Sequence, residues 1–236
     1  MSRRRHPILN LLILAVPPVA IGCLLWLGLV PARLLPFRQV DLADPSGVLL
    51  DLRLASLRRD PETCAVVLQS PHIRMSTVPD RPFDNGCGWE NAVRVRAAGS
   101  VSLPIDKISC QMAAALALWL THEVQPLATL QLGQRVASVS GMGAYNCRNI
   151  VGNRFRPDTR SEHATANAFD ISGFTLADGR QISVRRHWGR EAPEGQFLRD
   201  VHRRACRYFR VALSPEFNAA HRDHFHLDRG NLLTCR

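Results

Sequence analysis

Ser161-Glu162-His163-Ala164-Thr165-Ala166-Asn167-Ala168-Phe169-Asp170 and, further along, His221-Arg222-Asp223-His224-Phe225-His226 are the stretches whose reading decides the fold. A histidine and an aspartate seven positions apart, as His163 and Asp170 are, can bind one metal ion if the histidine sits on a turn and the aspartate lies in the strand that follows. In a strand, residues two apart project to one face, so His224 and His226 point together. One of them can ligate while the other acts on substrate.

The elements expected around these stretches are mixed. Residues 168–176 and 181–187 flank Asp178-Gly179, a two-residue turn pattern, and predict a hairpin. Residues 134–140 predict a strand that Gly141-Met142-Gly143 then breaks. The apolar run at 105–124 predicts a buried central helix, starting near Asp106 and ending before Pro126. Phe197, Val201, Ala205 and Phe209 recur at helical spacing within 194–209, and the last strand is expected at 224–227. The expected class is α+β, with a small antiparallel sheet carrying the site, flanked by helices.

At the other end of the chain, Arg3 to Arg5 precede an uncharged run at 8–30, long enough to cross a bilayer core. Basic residues at the extreme N-terminus keep that end in the cytoplasm, against the competing pull of Arg33 and Arg38. Everything beyond is then exported, and the expectation is a single-pass anchor in an inner membrane with the C-terminal domain in a bacterial periplasm or similar compartment. An uncleaved transmembrane anchor is the expectation, because the run exceeds the usual signal-peptide core. Cleavage at Val30-Pro31-Ala32 is the alternative, and lipid attachment at Cys23 a weaker one. The division is a stub at 1–7, the anchor at 8–30, a connector at 31–60 and a domain at 61–236. Within the connector, residues 48–59 carry Leu50, Leu54 and Leu57 on one helical face, although Leu50, Leu52 and Leu54 also alternate as in a strand.

Six further cysteines support export: Cys64, Cys87, Cys110, Cys147, Cys206 and Cys235. No C-x-x-C pair occurs, so disulfides in an oxidising compartment are expected rather than a cysteine metal site. Six cysteines allow 15 pairings, and sequence does not choose among them. Pairing of neighbours is the working expectation: Cys64 with Cys87, Cys110 with Cys147, Cys206 with Cys235. The formal net charge of +10 raises nucleic-acid binding, but the arginines are spread thinly and only two Tyr are present as stacking platforms. Anionic envelope polymers or lipid headgroups are the expected partners, not nucleic acid.

The paired motifs resemble those of the superfamily of zinc D-alanyl-D-alanine carboxypeptidases, murein endopeptidases and hedgehog N-terminal domains. More closely, the stretch from Cys64 to Cys235 resembles the bacterial extensin-like C-terminal domain family. The matching segments are Asn85-Gly86-Cys87-Gly88, Tyr145-Asn146-Cys147-Arg148, Ser161-Glu162-His163-Ala164, Phe197-Leu198-Arg199 and Asp223-His224-Phe225-His226-Leu227-Asp228. The resemblance implies a zinc ion on His163, Asp170 and His226, a set that leaves a position open for catalysis. It implies that His224 exchanges protons with or stabilises the reacting group, and that His221 is a further active-site histidine. Asp223 stands near the place of a general base in one branch, but an ideal strand turns it away from His224 and His226. Arg148 resembles an arginine that steadies the substrate carbonyl or carboxylate. Ser161 is a substrate-binding candidate, although turn formation is its simpler role. Asp228 reads as an ion-pair or ligand-orienting partner.

Many superfamily members have Gly where this chain has Ala166. A positive φ there would strain the alanine by about 1 kcal/mol. His72, His122, His187 and His202 read as ordinary core or surface residues, and Trp89, Trp119 and Trp188 as core. Two functions follow. The first is a zinc hydrolase of peptide bonds in peptidoglycan stems or cross-links, favoured by His224, Asp223 and His221 beside the ligands. The alternative is a non-catalytic, zinc-stabilised module that binds peptidoglycan or a protein, since a fold does not fix a function.

Overall fold

The computed structural model describes residues 7–36, 38–47, 49–69, 71–151 and 157–236, with side chains from Leu14 onward. Its centre is a nine-stranded mixed sheet. The strands are β1 (Ile73–Thr77), β4 (Ala92–Ala98), β5 (Val101–Ser109), β6 (Val136–Gly143), β7 (Ala168–Leu176), β10 (Phe225–Asp228), β9 (Val211–Leu213) and β11 (Thr234–Cys235), adjacent in that order. The ninth, β8 (Gln181–Ser183), pairs with β7, and β2 (Arg81–Asp84) and β3 (Cys87–Trp89) form a separate hairpin. The pairs β5–β6 and β9–β11 are parallel. The sheet is thus larger than the expected small antiparallel one, and not wholly antiparallel.

The reason lies upstream of the motifs. Along β5, Val101, Leu103 and Ile105 are buried while Ser102, Pro104 and Asp106 are exposed, the period of two that marks a half-buried strand. The expected start of the central helix near Asp106 is therefore corrected to Cys110. That helix, α4 (Cys110–Trp119), has every residue buried. It runs through a π turn, Leu120–Val124, into α5 (Gln125–Leu132). Pro126 does not end it, because it follows directly on the π turn, where the regular i to i−4 hydrogen bonding is already interrupted. Downstream, β8 gives way to the short α6 (Val184–His187), and the 194–209 pattern becomes α7 (Pro193–Ala205). Helices α4 and α7 meet through Trp119, whose Nε1 donates to the Val201 carbonyl at 3.0 Å and whose ring lies 6.2 Å from Phe174.

Two of the three expected disulfide pairings are corrected. Cys64, in α3 (Pro61–Leu68), bonds Cys110 at the start of α4, and Cys87 bonds Cys147, while Cys206 bonds Cys235 as expected. Cys64 and Cys87 are separated by β1 and β2, so nearness in sequence is not nearness in space.

The connector is part of the packed body. Leu50, Leu54 and Leu57 are buried, and the first two belong to α2 (Leu50–Ser56), which settles helix over strand. Asp51 on α2 receives Arg210 Nη2 and Arg229 Nη2, each at 2.8 Å. Arg210 also lies 3.9 Å from the ring centroid of Trp26, the last residue of α1 (Pro7–Trp26). Among the described residues, no helix is long and apolar enough to cross a membrane. The expected anchor at 8–30 falls partly on side chains outside the described ones; of the rest, Leu14, Val16, Val19 and Ile21 are exposed.

Candidate functional site

The site forms where β7 and β10 pair, with Asp170 opposite His226 and Ile171 opposite Phe225. Alternation sends Phe225 and Leu227 into the core and His226 and Asp228 to the other face. A bulge shapes β7 at this point. Gly141 pairs with Ile171 and Ser140 with Gly173, leaving Ser172 as the extra residue, its Oγ donating to the Ser140 carbonyl at 3.1 Å. Because of that residue Ile171 and Phe174, three apart, both reach the core. A second irregularity leaves Met142 unpaired on β6, so Gly141-Met142-Gly143 continues the strand rather than breaking it. Gly141 is needed for space: a Cβ there would stand 2.3 Å from Phe169 Cζ.

His163 arrives on a 3-10 turn, Glu162–Thr165, that closes on Ala166 at φ 53°. The left-handed conformation that was suspected at this alanine is therefore present. Asn167, buried, holds the turn to the body. Its Oδ1 accepts from Ser109 Oγ and Gln111 Nε2, both at 2.8 Å, and its Nδ2 donates to Glu162 Oε2 at 2.7 Å. Sequence reading passed over Asn167; the available signal was a polar residue wedged between two candidate ligands. Ser161 caps the turn, its Oγ accepting from the His163 amide at 3.4 Å, and it is buried. On the other side of His163, the Asn146 amide donates to its carbonyl at 3.1 Å, and the Cys87–Cys147 bond fixes that loop to the β2–β3 hairpin.

Three atoms converge. His163 Nε2 lies 3.2 Å from His226 Nδ1 and 3.2 Å from Asp170 Oδ2, and His226 Nδ1 lies 2.9 Å from Asp170 Oδ1. The outer nitrogens have partners that only accept: His163 Nδ1 donates to the Ala144 carbonyl at 3.1 Å, and His226 Nε2 to Asp228 Oδ2 at 2.9 Å. Protons held there leave lone pairs on both inner nitrogens, facing a carboxylate. Such a set demands positive charge. Burial disfavours a proton on His226, yet its hydrogen bonds with Asp170 and Asp228 prevail and raise it to about 9. Burial likewise opposes ionisation of Asp170, but His163 and His226 hold its carboxyl well below the usual range.

The same three residues fit a zinc ion. Bonds of ~2.0–2.1 Å in a tetrahedron place ligand atoms roughly 3.3 Å apart, close to the 3.2 Å between the two imidazole nitrogens, and one atom of each of the three residues lies within 4.8 Å of the others. Each histidine also has the outer hydrogen bond that fixes a ligand's tautomer. Among the described residues, this is the one group of three or more His, Cys, Asp or Glu side chains placed to share an ion.

The remaining candidates border the cluster. His224 Nδ1 donates to Asp223 Oδ1 at 2.8 Å, and His224 Nε2 stands 3.8 Å from Asp170 Oδ2. Asp223 thus orients His224 instead of pointing away unpaired, and that hydrogen bond lowers its own carboxyl. His221, on a 3-10 turn, packs its ring 5.3 Å from His224 and 5.8 Å from His226. Burial and the charges of His226 and His224 depress it to about 4, so it is neutral at pH 7. Arg148 is half-buried and close enough for its charge to be felt at His221.

The other histidines read as ordinary residues are placed elsewhere. His202 packs against Trp188 and Phe225, His122 meets the Leu42 carbonyl, and His187 accepts from the Ser183 amide. Trp119 is buried as expected, whereas Trp89 is half-buried and stacks edge-on against Tyr145.

A family model described as extensin-like protein C-terminus matches residues 62–236. The chain belongs to that family. Neither a curated protein nor a solved structure matches it.

Proposed function

We propose that this extensin-like protein is an exported zinc-dependent hydrolase of peptide bonds in peptidoglycan stems or cross-links, held at the bacterial inner membrane by its N-terminal segment. The observation that carries the reading is the convergence of His163 Nε2, His226 Nδ1 and Asp170 on one point, with both outer imidazole nitrogens occupied by acceptors. Zinc held there supplies Lewis acidity toward a carbonyl and makes water a nucleophile near neutral pH.

The protein's own groups supply the rest. His224, oriented by Asp223, stands beside the ligands with Nε2 directed inward and holds or returns a proton at the reacting centre. His221, neutral at pH 7, borders the same space and can donate or accept a hydrogen bond. Arg148 offers a fixed positive charge to a substrate carbonyl or carboxylate. A purely structural metal site has no use for this second tier of polar groups. Three disulfides fit an oxidising compartment such as the periplasm.

The test is incubation of the purified protein on whole sacculi, with zinc and separately with chelator, followed by mass spectrometry of the released muropeptides. Zinc-dependent loss of a particular cross-link or terminal residue is the expected result and names the bond. Zinc bound at one per chain without any release would instead assign the protein as a binding module.

A further inference from the structure

A groove of about 430 Å³ runs over β6, β7, β8 and α6, within the ~300–1,000 Å³ of typical ligand sites. Its wall includes Asp223, which accepts a hydrogen bond from His224 at the border of the candidate metal cluster. Ser140 and Ser172 at the β7 bulge, with Gln181 on β8, give it uncharged hydrogen-bonding groups. Arg185 and Arg186 on α6 give it charge. Both arginines are exposed, and among the described residues neither forms an ion pair. The acidic group in the wall, Asp223, is already engaged by His224. Two guanidinium groups without an ion pair outweigh the single hydrogen-bonded carboxylate, so the groove favours an anion, and guanidinium geometry favours carboxylate.

Resting on the hydrolase reading above, we infer that this groove is the substrate-docking channel and that Arg185 and Arg186 bind a free carboxylate of the peptide on the segment beside the bond to be cut. The bulge at Ser172 opens the channel where β7 passes from its pairing with β10 to its pairing with β8. The peptide then enters along the sheet and meets His224 at the end walled by Asp223.

The test uses the full chain in detergent with chelator present, so that binding is measured without cleavage. The probes are a capped alanyl-γ-glutamyl-lysine peptide with a free glutamyl α-carboxylate and the same peptide with that group amidated, titrated by calorimetry. The wild-type protein is expected to bind the free carboxylate about tenfold more tightly than the amide, the effect of one charge-assisted contact. The R185Q/R186Q variant loses this preference and R185K/R186K retains part of it. Equal affinity of the wild-type protein for both probes, or a preference that survives in R185Q/R186Q, overturns the assignment. The two readings fail separately. Absence of zinc-dependent release from sacculi alongside intact carboxylate preference removes the hydrolase but keeps the channel as a docking site. Zinc-dependent release without carboxylate preference removes the channel alone.

Discussion

Replacing Asp228 with Asn should weaken zinc binding by about 10- to 100-fold, or about 1.4–2.8 kcal/mol, although Asp228 is not one of the three ligands. Its carboxylate accepts two hydrogen bonds, from His226 Nε2 at 2.9 Å and from the Gly230 amide at 2.9 Å. Asparagine has one acceptor oxygen for these two donors. If that oxygen serves Gly230, the amide NH2 faces His226 Nε2 and drives the imidazole proton to Nδ1, the ligand atom. If the oxygen serves His226, two donors confront each other at Gly230, and a buried unsatisfied donor costs about 1–3 kcal/mol. Either arrangement penalises the liganding tautomer by a similar amount. The assay is zinc competition against a chromophoric chelator, with H163A as the control that removes a ligand and a thermal melt in EDTA to confirm folding. A D228N protein that melts normally and binds zinc within about twofold of wild type would refute the view that Asp228 sets the tautomer of His226.

Four further outcomes are expected. His224→Ala should keep one zinc per chain while zinc-dependent release from sacculi falls by about 10²–10⁴-fold; unchanged release removes His224 from the chemistry. The C64S/C110S variant, which opens a cross-link spanning 46 residues, should lose about 4 kcal/mol in urea titrations on the chain-entropy relation. Alkylation of the unreduced protein should label Cys23 alone, the one free cysteine, and labelling of Cys64 or Cys110 contradicts their bond. Burial opposes ionisation of Asp51, yet Arg210 and Arg229 hold its carboxyl below the ordinary range. Its contribution is therefore full above the unfolded value of about 3.9 and disappears as pH falls through the lower folded value. Asp51→Asn should cost about 3 kcal/mol at neutral pH by leaving buried Arg229 undercompensated, and should flatten the acid limb of a urea-midpoint profile; a D51N profile parallel to wild type rejects this role.

The convergence of these three side chains could be read from sequence because turn-plus-strand spacing brings His163 to Asp170, and strand periodicity sets His226 on the face toward them. Ala166 was legible for a different reason: many members of the resembling superfamily have Gly there, and the observed φ of 53° is the left-handed conformation that glycine accommodates. Two of the three cysteine pairings were not legible, since they depend on α3 packing against α4 although β1 to β5 intervene in sequence. Strand β5 was obscured where its alternation runs straight into the buried α4, so that one apolar run covers two periodicities. The groove escaped notice because Ser172, Gln181 and Arg186 become neighbours only through the β7 bulge and the β7–β8 pairing.

Placement of the clustered side chains on β10 is enforced by the core on the opposite face of the sheet. Phe225 and Leu227 are fully buried between His224, His226 and Asp228. A one-residue slip of β10 would exchange the two sets, facing the ionisable side chains into the core and the apolar ones toward the site. Each displaced apolar side chain forfeits about 1.5–3 kcal/mol. The larger penalty falls on the imidazoles and carboxylate, which lose the hydrogen bonds to Asp170 and Gly230 that make their burial tolerable. Hydrophobic burial and polar satisfaction therefore select the same register, and that register sets His226 against Asp170. The turn carrying His163 buries only the small apolar side chains of Ala164 and Ala166, and Asn167, Ser161 and the Cys87–Cys147 bond are concentrated around it. Precision at His163 comes from hydrogen bonds and a covalent cross-link, where at Asp170 and His226 it comes from the sheet.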